Sequence, residues 1–414
     1  MSSDADKANC DYDLLIVGGG MVGASLAIAL SGQGLRIGLV EAHEPGDPGQ
    51  PGYDDRAIAL AYGSRRIFEG MRLWQEIARD AEPILDIHVS DRGHFGFSHL
   101  SSKEEQVPAL GYVVTARQLG HSLLGRLRQC DDVEVIAPAS VVAVWSDSGA
   151  ARVQVLRDRQ QFELSARLLV AADGGKSFIR EQLDVPTHKW QYGQSAIVTN
   201  ITPQQPHNNV AYERFTDTGP VALLPMSEGR CAVVWTVRDE QVEQVMALDD
   251  QAFLAAFQQR FGYRLGRFVR VGKRASYPLS LLRVRESVRE RIAIIGNAAH
   301  TLHPIAGQGF NLGIRDVAAL VEVVLQAHEQ GRDIGAAQVL KSYEQWRLAE
   351  QRTVALATDG LARLFSNPLK AVQFGRNLGL LAMDLLPGAR HRLAKGAMGL
   401  LGRLPRLGRG MAPE

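Results

Sequence analysis

Three glycines near the start of the chain are spaced to bind a dinucleotide. Gly18, Gly20 and Gly23 form a G-x-G-x-x-G turn directly after the apolar run DLLIV (13–17). In such a turn the first glycine makes the bend, the second lets the backbone approach a pyrophosphate, and the third allows helix and strand to pack closely. Glu41 lies 21 residues after Gly20, where an acid binds a ribose hydroxyl. Because that acid would repel a 2′-phosphate, the pattern predicts FAD or NAD rather than NADP.

A second turn of this kind follows a later apolar run. Residues 167–176 read RLLVAADGGK, so Asp173 and Gly174 stand at the end of a predicted buried strand. An acid followed by two glycines is also a common simple turn. Taken alone, this segment favours the simple turn.

A third segment, GNAAHTLHPIAGQGFN (296–311), combines three glycines, a proline and the start of a predicted helix. Its density of backbone constraints is unusual for so short a stretch. The N–H groups around Gly307 and Gly309 open the helix, so they can face an anion or a developing negative charge. A reduced flavin carries such a charge on its N1–C2=O edge, and the segment is therefore a candidate flavin contact.

Other chemistries fit the residues poorly. His300 and His303 are three residues apart, but no carboxylate or thiol lies close by in sequence, so a metal site is not favoured. The chain has no G-x-S-x-G elbow of a hydrolase. It also has one dinucleotide fingerprint and no cysteine pair, whereas a flavoprotein disulfide reductase needs two nucleotide domains and a dithiol.

The elements that must position these residues alternate between strand and helix. The first 42 residues read as a β-α-β unit, and the runs at 167–176 and 291–296 read as two more buried parallel strands. Short β-rich segments between 198 and 237 predict an antiparallel sheet in a second domain. From Phe310 onward apolar residues recur at helical spacing, and the rest of the chain reads as helical.

Composition narrows the function classes further. The 414 residues are 45% hydrophobic and 22% charged with a net charge of +1, which is typical of a globular protein and argues against a general nucleic-acid binder. The three cysteines are scattered along the sequence, so a disulfide framework is not expected. The acidic, polar N-terminus does not read as a signal peptide, and no apolar run is long enough to span a bilayer. We therefore expect a cytoplasmic protein.

The three glycine-bearing segments together resemble the class A FAD-dependent aromatic hydroxylases. They extend from residue 13 to residue 316, which covers most of the chain. The string HPIAGQGFNLGIRD (303–316) is similar to the ubiquinone-biosynthesis branch of that family. Two further strings, HVSDRGHFGF (88–97) and YERFTDTGPVALLPMSEGRC (212–231), are similar to the 2-polyprenyl-6-methoxyphenol hydroxylases of that pathway.

The resemblance implies an α/β fold in three parts. These are a Rossmann-like FAD-binding domain like that of p-hydroxybenzoate hydroxylase, an interleaved antiparallel β-sheet domain for the substrate, and a helical C-terminus. The expected bounds are residues 1–80, 101–180 and 276–330 for the FAD-binding domain, 81–100 and 181–275 for the substrate domain, and 331–414 for the helical region.

The resemblance also implies roles for single residues around FAD. The ADP half would be held by Gly18, Gly20, Gly23 and Glu41, with Arg56 near the flavin and the phosphates. Asp173 and Gly174 would contact FAD close to where the nicotinamide nucleotide approaches, and Asn297 would face the ribityl chain. The isoalloxazine would be bordered by Pro304, Gly307, Gln308, Gly309 and Asn311.

Two positions depart from the family pattern. Asn297 follows Gly296 where the commoner motif has Asp, so the hydrogen bond is kept and the charge is lost. We therefore expect FAD to be held less tightly. Ala116 stands where many relatives have Arg or Gln, and Arg117 or Gln118 could take that place.

The implied activity is an aromatic-ring monooxygenase of ubiquinone biosynthesis. In that family NAD(P)H reduces FAD, O₂ adds at the flavin C4a, and the resulting hydroperoxide hydroxylates an electron-rich ring; the flavin carries the chemistry, and no residue is required as a general base. The implied substrate is 2-polyprenyl-6-methoxyphenol. The alternatives are a related FAD enzyme acting on another aromatic or isoprenoid substrate, and a non-catalytic dinucleotide-binding protein.

A polyprenylated substrate implies contact with a membrane. Residues 371–414 contain seven Lys or Arg and two acids, interleaved with Leu and Met. Such a segment predicts peripheral contact with a membrane surface or association with other proteins of the pathway. An ordinary C-terminal helix with a solvated face explains the pattern equally well.

Overall fold

Strands and helices alternate along the chain, as the sequence predicts. The structure is a computed structural model, and it describes residues 10–44, 56–94, 96–301, 307–366 and 369–413. The strands are β1 (Tyr12–Val17), β2 (Ile37–Val40), β3 (Ala57–Ala61), β4 (Glu82–Ile84), β5 (Asp86–Asp91), β6 (Phe97–Ser101), β7 (Gly111–Thr115), β8 (Val133–Ile136), β9 (Ser140–Ser146), β10 (Ala151–Arg157), β11 (Gln160–Ala171), β12 (Thr187–Pro203), β13 (Val210–Thr216), β14 (Gly219–Pro225), β15 (Cys231–Arg238), β16 (Phe268–Val271), β17 (Ala275–Val284), β18 (Val288–Arg289), β19 (Ile292–Ile294) and β20 (His300–Thr301). The helices are α1 (Met21–Leu30), α2 (Tyr62–Gly70), α3 (Trp74–Ile77), α4 (Ala116–Leu127), α5 (Phe178–Gln182), α6 (Val242–Met246), α7 (Asp250–Phe261), α8 (Gln308–Glu329), α9 (Ala337–Ser366), α10 (Lys370–Leu385) and α11 (Pro387–Ala397).

The first sheet contains the strands that end at the glycine turns. Its order is β18-β19-β11-β1-β2-β8, and β9 and β10 extend it beside β11. The pairs β19–β11, β11–β1, β1–β2 and β2–β8 are parallel. Leu14, Leu15 and Ile16 of β1 are fully buried, as expected for a central parallel strand covered on both faces. The ends of β1, β11 and β19 therefore meet at one edge of the sheet.

The second sheet is large and almost entirely antiparallel. Its order is β20-β17-β12-β15-β14-β13-β5-β6, with β16 beside β12. Only the β5–β13 pair is parallel among its described pairs, so the sheet is mixed. Helix α7 covers one face, where Phe253 and Phe257 pack against Trp235 of β15.

A third, small sheet joins the other two. Its order is β3-β7-β4, with both pairs antiparallel. Val113 of β7 packs in one cluster with Ala211 and Ala232 of the large sheet. Helix α4 follows β7 directly, and a capping box between Thr115 and Gln118 fixes its start. Strand β3 is thereby held where Arg56 and the start of α8 come together.

The helical C-terminus begins inside the core. Helix α8 is 22 residues long, and Val317, Leu320, Val321 and Val324 are fully buried on it. Helices α9, α10 and α11 follow. The predicted fold class, an α/β nucleotide-binding sheet with a β-rich second part and a helical C-terminus, is confirmed.

The residues after α11 return to the N-terminal half of the molecule. The amide of Gly63 donates to the carbonyl of Met398 at 2.8 Å, and Arg66 donates to the carbonyl of Arg409 at 2.6 Å. Leu407 is buried in the main core. The division of the chain at residues 80, 180, 275 and 330 stays a prediction, as does the separate helical region from 331.

Within the described residues, no helix has both the length and the apolar character needed to cross a bilayer.

Candidate functional site

The first glycine turn is fixed by contacts between backbones. Gly18 has φ of +105°, and a Cβ there would lie 2.5 Å from the carbonyl oxygen of Ala172. A Cβ on Gly23 would lie 1.9 Å from the carbonyl oxygen of Gly18. No side chain fits at either position. Beside Gly20, in contrast, a Cβ would meet no atom of the described residues within 4 Å. Open space therefore borders the N-terminus of α1, whose first amides have no side-chain cap and can bind an anion.

Glu41 closes this turn from the end of β2. Its Oε2 accepts a hydrogen bond from the amide of Gly19 at 2.6 Å, and its Oε1 accepts one from the amide of His43 at 3.0 Å. The side chain is buried. Each oxygen has a second lone pair, so the carboxylate can also accept from a ribose hydroxyl. Glu41, the residue predicted to bind the ribose, is thus held in place next to the glycine turn.

Asp173 lies against the same turn. A Cβ on Gly18 would be 2.9 Å from the Cα of Asp173. Its Oδ2 accepts from the amide of Ile179 at 3.1 Å, whereas its Oδ1 is buried and has no hydrogen-bond partner in the described part of the chain. Burial raises the pKa of this carboxyl. A buried oxygen without a partner is costly unless a ligand supplies a donor, so the residue fits a cofactor hydroxyl. Gly174, next along the chain, has φ of +81°.

The Gly296–Asn297 turn meets the start of α1 from the other side. Gly296 has φ of +60°, and a Cβ there would lie 3.1 Å from the side chain of Val22. A Cβ on Gly313 of α8 would lie 3.3 Å from the Cα of Gly296. Asn297 itself is exposed. Its amide side chain can therefore reach a ligand in front of the turn.

The N-terminus of α8 lies against β3. Gly307 has φ of +60° and caps the helix, with Ala59 of β3 at 3.0 Å from the position of a Cβ. No atom of the described residues lies within 4 Å of a Cβ placed on Gly309, so in this part of the structure the first turn of α8 borders open space. Gln308 is buried, and its Nε2 donates to the carbonyl of Ala397 at 3.5 Å. Pro304 lies outside the described residues.

Asn311 uses its whole side chain within the protein. Its Oδ1 accepts from the amide of Ala61 at 2.8 Å and from the hydroxyl of Ser64 at 2.7 Å. Its Nδ2 donates to the carbonyls of Ala59 and Gly307, both at 2.8 Å. This amide has no further hydrogen bond to offer a ligand. Asn311 therefore positions the first turn of α8 on β3.

Arg56 precedes β3, and the neighbours of its hydrogen-bond partner Ala116 line a cavity. Its guanidinium sits over the ring of Tyr277, 5.1 Å from the ring centre, and its carbonyl accepts from the amide of Ala116 at 2.8 Å. The adjacent cavity has a volume of about 220 Å³. Its lining residues are Thr115, Arg117, Gln118, Asn200, Met226 and Arg230. Arg117 and Gln118, either of which could replace the Arg or Gln that many relatives have in place of Ala116, thus both line this cavity.

A buried polar network behind the Gly296 turn has no counterpart in the sequence-based predictions. Asp316, fully buried on α8, accepts from the amide of Gly296 at 3.2 Å and pairs through the same Oδ2 with His300 Nε2 at 2.6 Å. Its Oδ1 accepts from Arg347 Nε at 2.8 Å and from Gln351 Nε2 at 3.0 Å. The network thereby joins α9 to the turn that carries Asn297.

The charges of this network determine the state of the carboxyl. Burial raises the pKa of Asp316, but the neighbouring charges of His300 and Arg347 outweigh burial and hold that pKa well below its usual value. His300, which the sequence offered as a weak metal ligand, is paired with this carboxylate. Its Nδ1 is buried without a hydrogen-bond partner among the described residues. Arg347 was missed because it lies 31 residues from Asp316 and carries no motif.

The structure brings together three of the predicted segments. The turn at Gly18 contacts Asp173, the turn at Gly296 contacts α1, and the start of α8 contacts β3 directly after Arg56. Two helix N-termini without side-chain caps, open space beside two glycines and the Asp173 oxygen that has no partner among the described residues form a cradle for a ligand with phosphates and hydroxyls. These properties fit FAD.

Comparison with known proteins places the chain in a family. A family model described as an FAD binding domain matches residues 11–357. The chain is 38% identical to the ubiquinone hydroxylase UbiL of Rhodospirillum rubrum, over 99% of this chain and 95% of that protein. It is 30% identical to the 3-demethoxyubiquinol 3-hydroxylase of Escherichia coli, over 95% of this chain and 100% of that protein.

A solved structure gives the same result for the fold. The p-nitrophenol 4-monooxygenase PnpA of Pseudomonas putida superposes with a TM-score of 0.78, covering 94% of this chain and 98% of that one at 17% identity. At this identity the likeness concerns the fold alone. The family match and the similarity to the ubiquinone hydroxylases show that the chain belongs to the FAD binding domain family and is a flavoprotein monooxygenase.

Proposed function

We propose that the protein hydroxylates the aromatic ring of a polyprenylated phenol in ubiquinone biosynthesis, with 2-polyprenyl-6-methoxyphenol as its substrate. The observation that carries the proposal is the convergence of three distant glycine turns on one cradle that fits FAD. Full-length similarity to ubiquinone hydroxylases supports the pathway. The strings at 88–97 and 212–231 support the choice of ring, because they resemble the enzymes that act on the methoxyphenol.

A second substrate has independent support. The Escherichia coli relative, matched over its whole length, is a 3-demethoxyubiquinol 3-hydroxylase. Its substrate is also a prenylated ring but is hydroxylated at another carbon. A shift of the ring in its pocket by about the length of a bond would separate the two reactions, and hydroxylation of demethoxyubiquinol is therefore the alternative.

The residues of the cradle divide the cofactor among them. In this proposal the turn at Gly18, Gly20 and Gly23 and the N-terminus of α1 bind the pyrophosphate, and Glu41 accepts from the adenosine ribose. Arg56 faces the phosphates from the small sheet. The unpartnered oxygen of Asp173 accepts a hydrogen bond from FAD, and Asn297 donates to or accepts from the ribityl chain.

The protein's part in the reaction is to hold, orient and shield. Bound FAD, with NAD(P)H and O₂ as co-substrates, supplies the oxidative chemistry. The backbone amides at Gly307 and Gly309 would stabilise negative charge at the flavin edge, because they begin a long helix and open space borders Gly309. Asn311 holds that helix end against β3. The β-rich part must orient the phenol and exclude water.

The remaining parts of the proposal concern organisation and location. We assign FAD binding to residues 1–80, 101–180 and 276–330 and substrate binding to 81–100 and 181–275, with a helical region from 331. The prenyl tail requires an apolar channel in the protein, and the prenylated substrate must be drawn from a membrane. The protein therefore works in the cytoplasm at a membrane surface, in association with other proteins of the pathway.

The experiment that tests the function is product analysis with purified holoprotein. Short-chain analogues of 2-polyprenyl-6-methoxyphenol, 2-polyprenylphenol and demethoxyubiquinol are each incubated with NAD(P)H and O₂. We expect the methoxyphenol to yield the benzoquinol and to accelerate NAD(P)H oxidation. Product from demethoxyubiquinol alone would establish the alternative. A yellow protein that oxidises NAD(P)H but hydroxylates none of the three would overturn the pathway assignment, and a colourless protein would overturn FAD binding.

The same question can be asked in cells that lack the protein. Accumulation of 2-polyprenyl-6-methoxyphenol is the expected result. Accumulation of 2-polyprenylphenol would move the step one reaction earlier. Unchanged quinone intermediates would contradict the proposal.

A further inference from the structure

Helix α10 carries a row of apolar side chains that nothing described in the structure covers. Phe374, Leu378 and Leu385 are 64%, 51% and 68% exposed, and their spacing of four and seven residues places them on one side of the helix. Leu369 and Leu386, which flank the helix at its two ends, are also exposed. We call these five side chains the apolar face. Contiguous exposed apolar surface of this kind marks an interaction site.

The opposite side of α10 is fastened to the large sheet. Arg376 Nε pairs with Asp91 Oδ2 at 2.8 Å, and Asn377 Nδ2 donates to the same oxygen at 2.9 Å. The Oδ1 of Asn377 accepts from the amide of Gly96 at 3.0 Å. Asp91, Arg376 and Asn377 are all buried. The apolar face therefore points outward because the helix is locked from behind.

The charges next to the apolar face indicate what covers it. Residues 385–413 contain six Arg or Lys and no acid. On α11, Arg390 pairs with Glu104, whereas Arg392 and Lys395 are exposed. An apolar row followed by cations fits an anionic bilayer surface.

A second copy of the chain is a poorer occupant. Pairing this face with itself would bring the cations of two α11 helices together. Five side chains are also few beside the ~20–30 residues per side of a stable protein interface. No described helix can cross a bilayer, so contact would be at the surface.

We propose that the apolar face of α10 docks on an anionic membrane, with the cations of α11 at the headgroups. The inference rests on the proposed function, in which the substrate is a prenylated phenol drawn from a membrane. The lock through Asp91 then holds β5 and β6, in the part assigned to the substrate, next to the bilayer. Docking of α10 thereby shortens the distance that a prenylated phenol travels from the bilayer to its binding site.

The test is vesicle flotation of the FAD-loaded, full-length protein. Vesicles of phosphatidylcholine with phosphatidylglycerol are compared with vesicles of phosphatidylcholine alone. We expect binding to the anionic vesicles that weakens with salt. The variant Phe374→Gln/Leu378→Gln should bind about tenfold or more weakly, since each large apolar side chain transferred from water contributes at least about that factor.

Two further variants separate the apolar and the charge contributions. Arg392→Gln/Lys395→Gln should lower binding to anionic vesicles at low salt and leave binding at high salt unchanged. The matched control is Tyr263→Gln/Val269→Gln, because both residues are large, apolar and exposed but lie on another surface. This control should bind as the wild type does. Equal binding by wild type and the α10 variant, or no binding by either, would overturn the proposal.

Docking and catalysis are measured separately. With a soluble short-chain phenol, the α10 and α11 variants should keep the wild-type rate. With a long-chain phenol embedded in vesicles, the α10 variant should show a raised KM. Vesicle binding without hydroxylation would leave docking intact and refute the function, and hydroxylation without vesicle binding would do the reverse. A loss of dimer mass in the α10 variant, with no vesicle binding by wild type, would assign the face to a second copy.

Discussion

The turn at Gly18 and the outer helix α10 are held in opposite ways. At the turn, backbone lies so close to backbone that a Cβ on Gly23 would be 1.9 Å from an oxygen. Helix α10 is held by side chains that converge on one carboxylate, Asp91, and its outer row is left uncovered. Close backbone packing fixes atoms to fractions of an ångström, as a cofactor requires. Side-chain fastening sets only the orientation of a surface, which is enough for docking.

The largest expected effect comes from filling the closest backbone contact. Gly23→Ala places a methyl group inside the van der Waals radius of the Gly18 carbonyl, so α1 must move away from β1. We expect a protein that is insoluble or free of FAD, assessed by solubility, flavin content and urea unfolding. The matched control is Gly125→Ala on α4, where a Cβ meets nothing within 4 Å. It should gain about 0.5–1 kcal/mol of stability from helix propensity. Normal flavin content in Gly23→Ala would refute the packing argument.

The next effect concerns the buried network that supports the Gly296 turn. Asp316→Asn removes the carboxylate that His300 and Arg347 share, although Arg347 keeps its pair with Glu350. Breaking a buried pair typically costs about 3–5 kcal/mol. We expect a loss of this order in the free energy of unfolding at pH 7, measured in urea. Flavin release should be easier as well, because the Asn side chain has one acceptor oxygen where Asp316 has two, so the Gly296 amide and Arg347 can no longer both be satisfied. A difference below about 1 kcal/mol would show that the network contributes little.

The pH dependence of the free energy of unfolding, compared between wild type and the same variant, tests whether the stabilisation comes from the Asp316 carboxylate. Because the folded protein holds the pKa of Asp316 below its ordinary value, the stabilisation is fully present above pH ~4. It is lost only as the pH falls from there toward the folded pKa. The difference between wild type and Asp316→Asn should therefore be constant from pH 8 to 5 and shrink in stronger acid. A difference that is already lost at pH 5 would contradict the assignment to the Asp316 carboxylate.

A smaller and local effect is expected at α10. Arg376→Met removes the main partner of buried Asp91, and the helix should separate from β5 without unfolding the core. We expect hydrogen exchange across residues 372–385 to rise about tenfold or more, which corresponds to ~1.4 kcal/mol, while exchange in β1 stays unchanged. Arg157→Met, which removes an exposed pair with Asp158, is the control and should change neither. Equal acceleration in β1 and α10 would mean that the helix is part of the core.

The last effect appears only in acid and concerns His88 on β5. Burial first, and then the charges of Arg264, His99 and Arg214, lower the pKa of His88 to about 4. The unfolded chain therefore takes up this proton first, and stability should fall as the pH decreases from ~6.5 toward 4. NMR titration of the ring should show no protonation above pH 5. His88→Gln should remove this part of the pH dependence, and an unchanged profile would contradict the shift.

The sequence predicts the glycine turns because their physics is local. Gly23 is required by its contact with Gly18 inside one β-α-β unit, and Gly307 by the start of one helix, so spacing alone reveals them. The close approach of Gly18 to Ala172 and Asp173, in contrast, joins two distant segments, and only the left-handed turn at Gly18 is local. Apolar runs likewise predict β1 and β11, since buried parallel strands need no partner pattern to be recognised.

The networks could not be predicted because complementarity between distant residues leaves no local signal. Arg347 meets Asp316 across 31 positions, and Arg376 meets Asp91 across 285. Asn311 shows the same limit at a predicted residue. Its place beside the cofactor cradle follows from the motif, but the use of its amide to fasten β3 depends on a strand 250 residues earlier.

The return of the last residues to α2 has a practical consequence. Leu407 is part of the main core, and the carbonyls of Met398 and Arg409 accept hydrogen bonds from Gly63 and Arg66. A shortened chain that stops at residue 397 would leave α2 uncovered and two of its donors unpaired. A variant shortened for crystallisation should therefore be cut elsewhere. An affinity tag fused after residue 414 needs a spacer, so that the contacts between α2 and residues 398–409 stay intact.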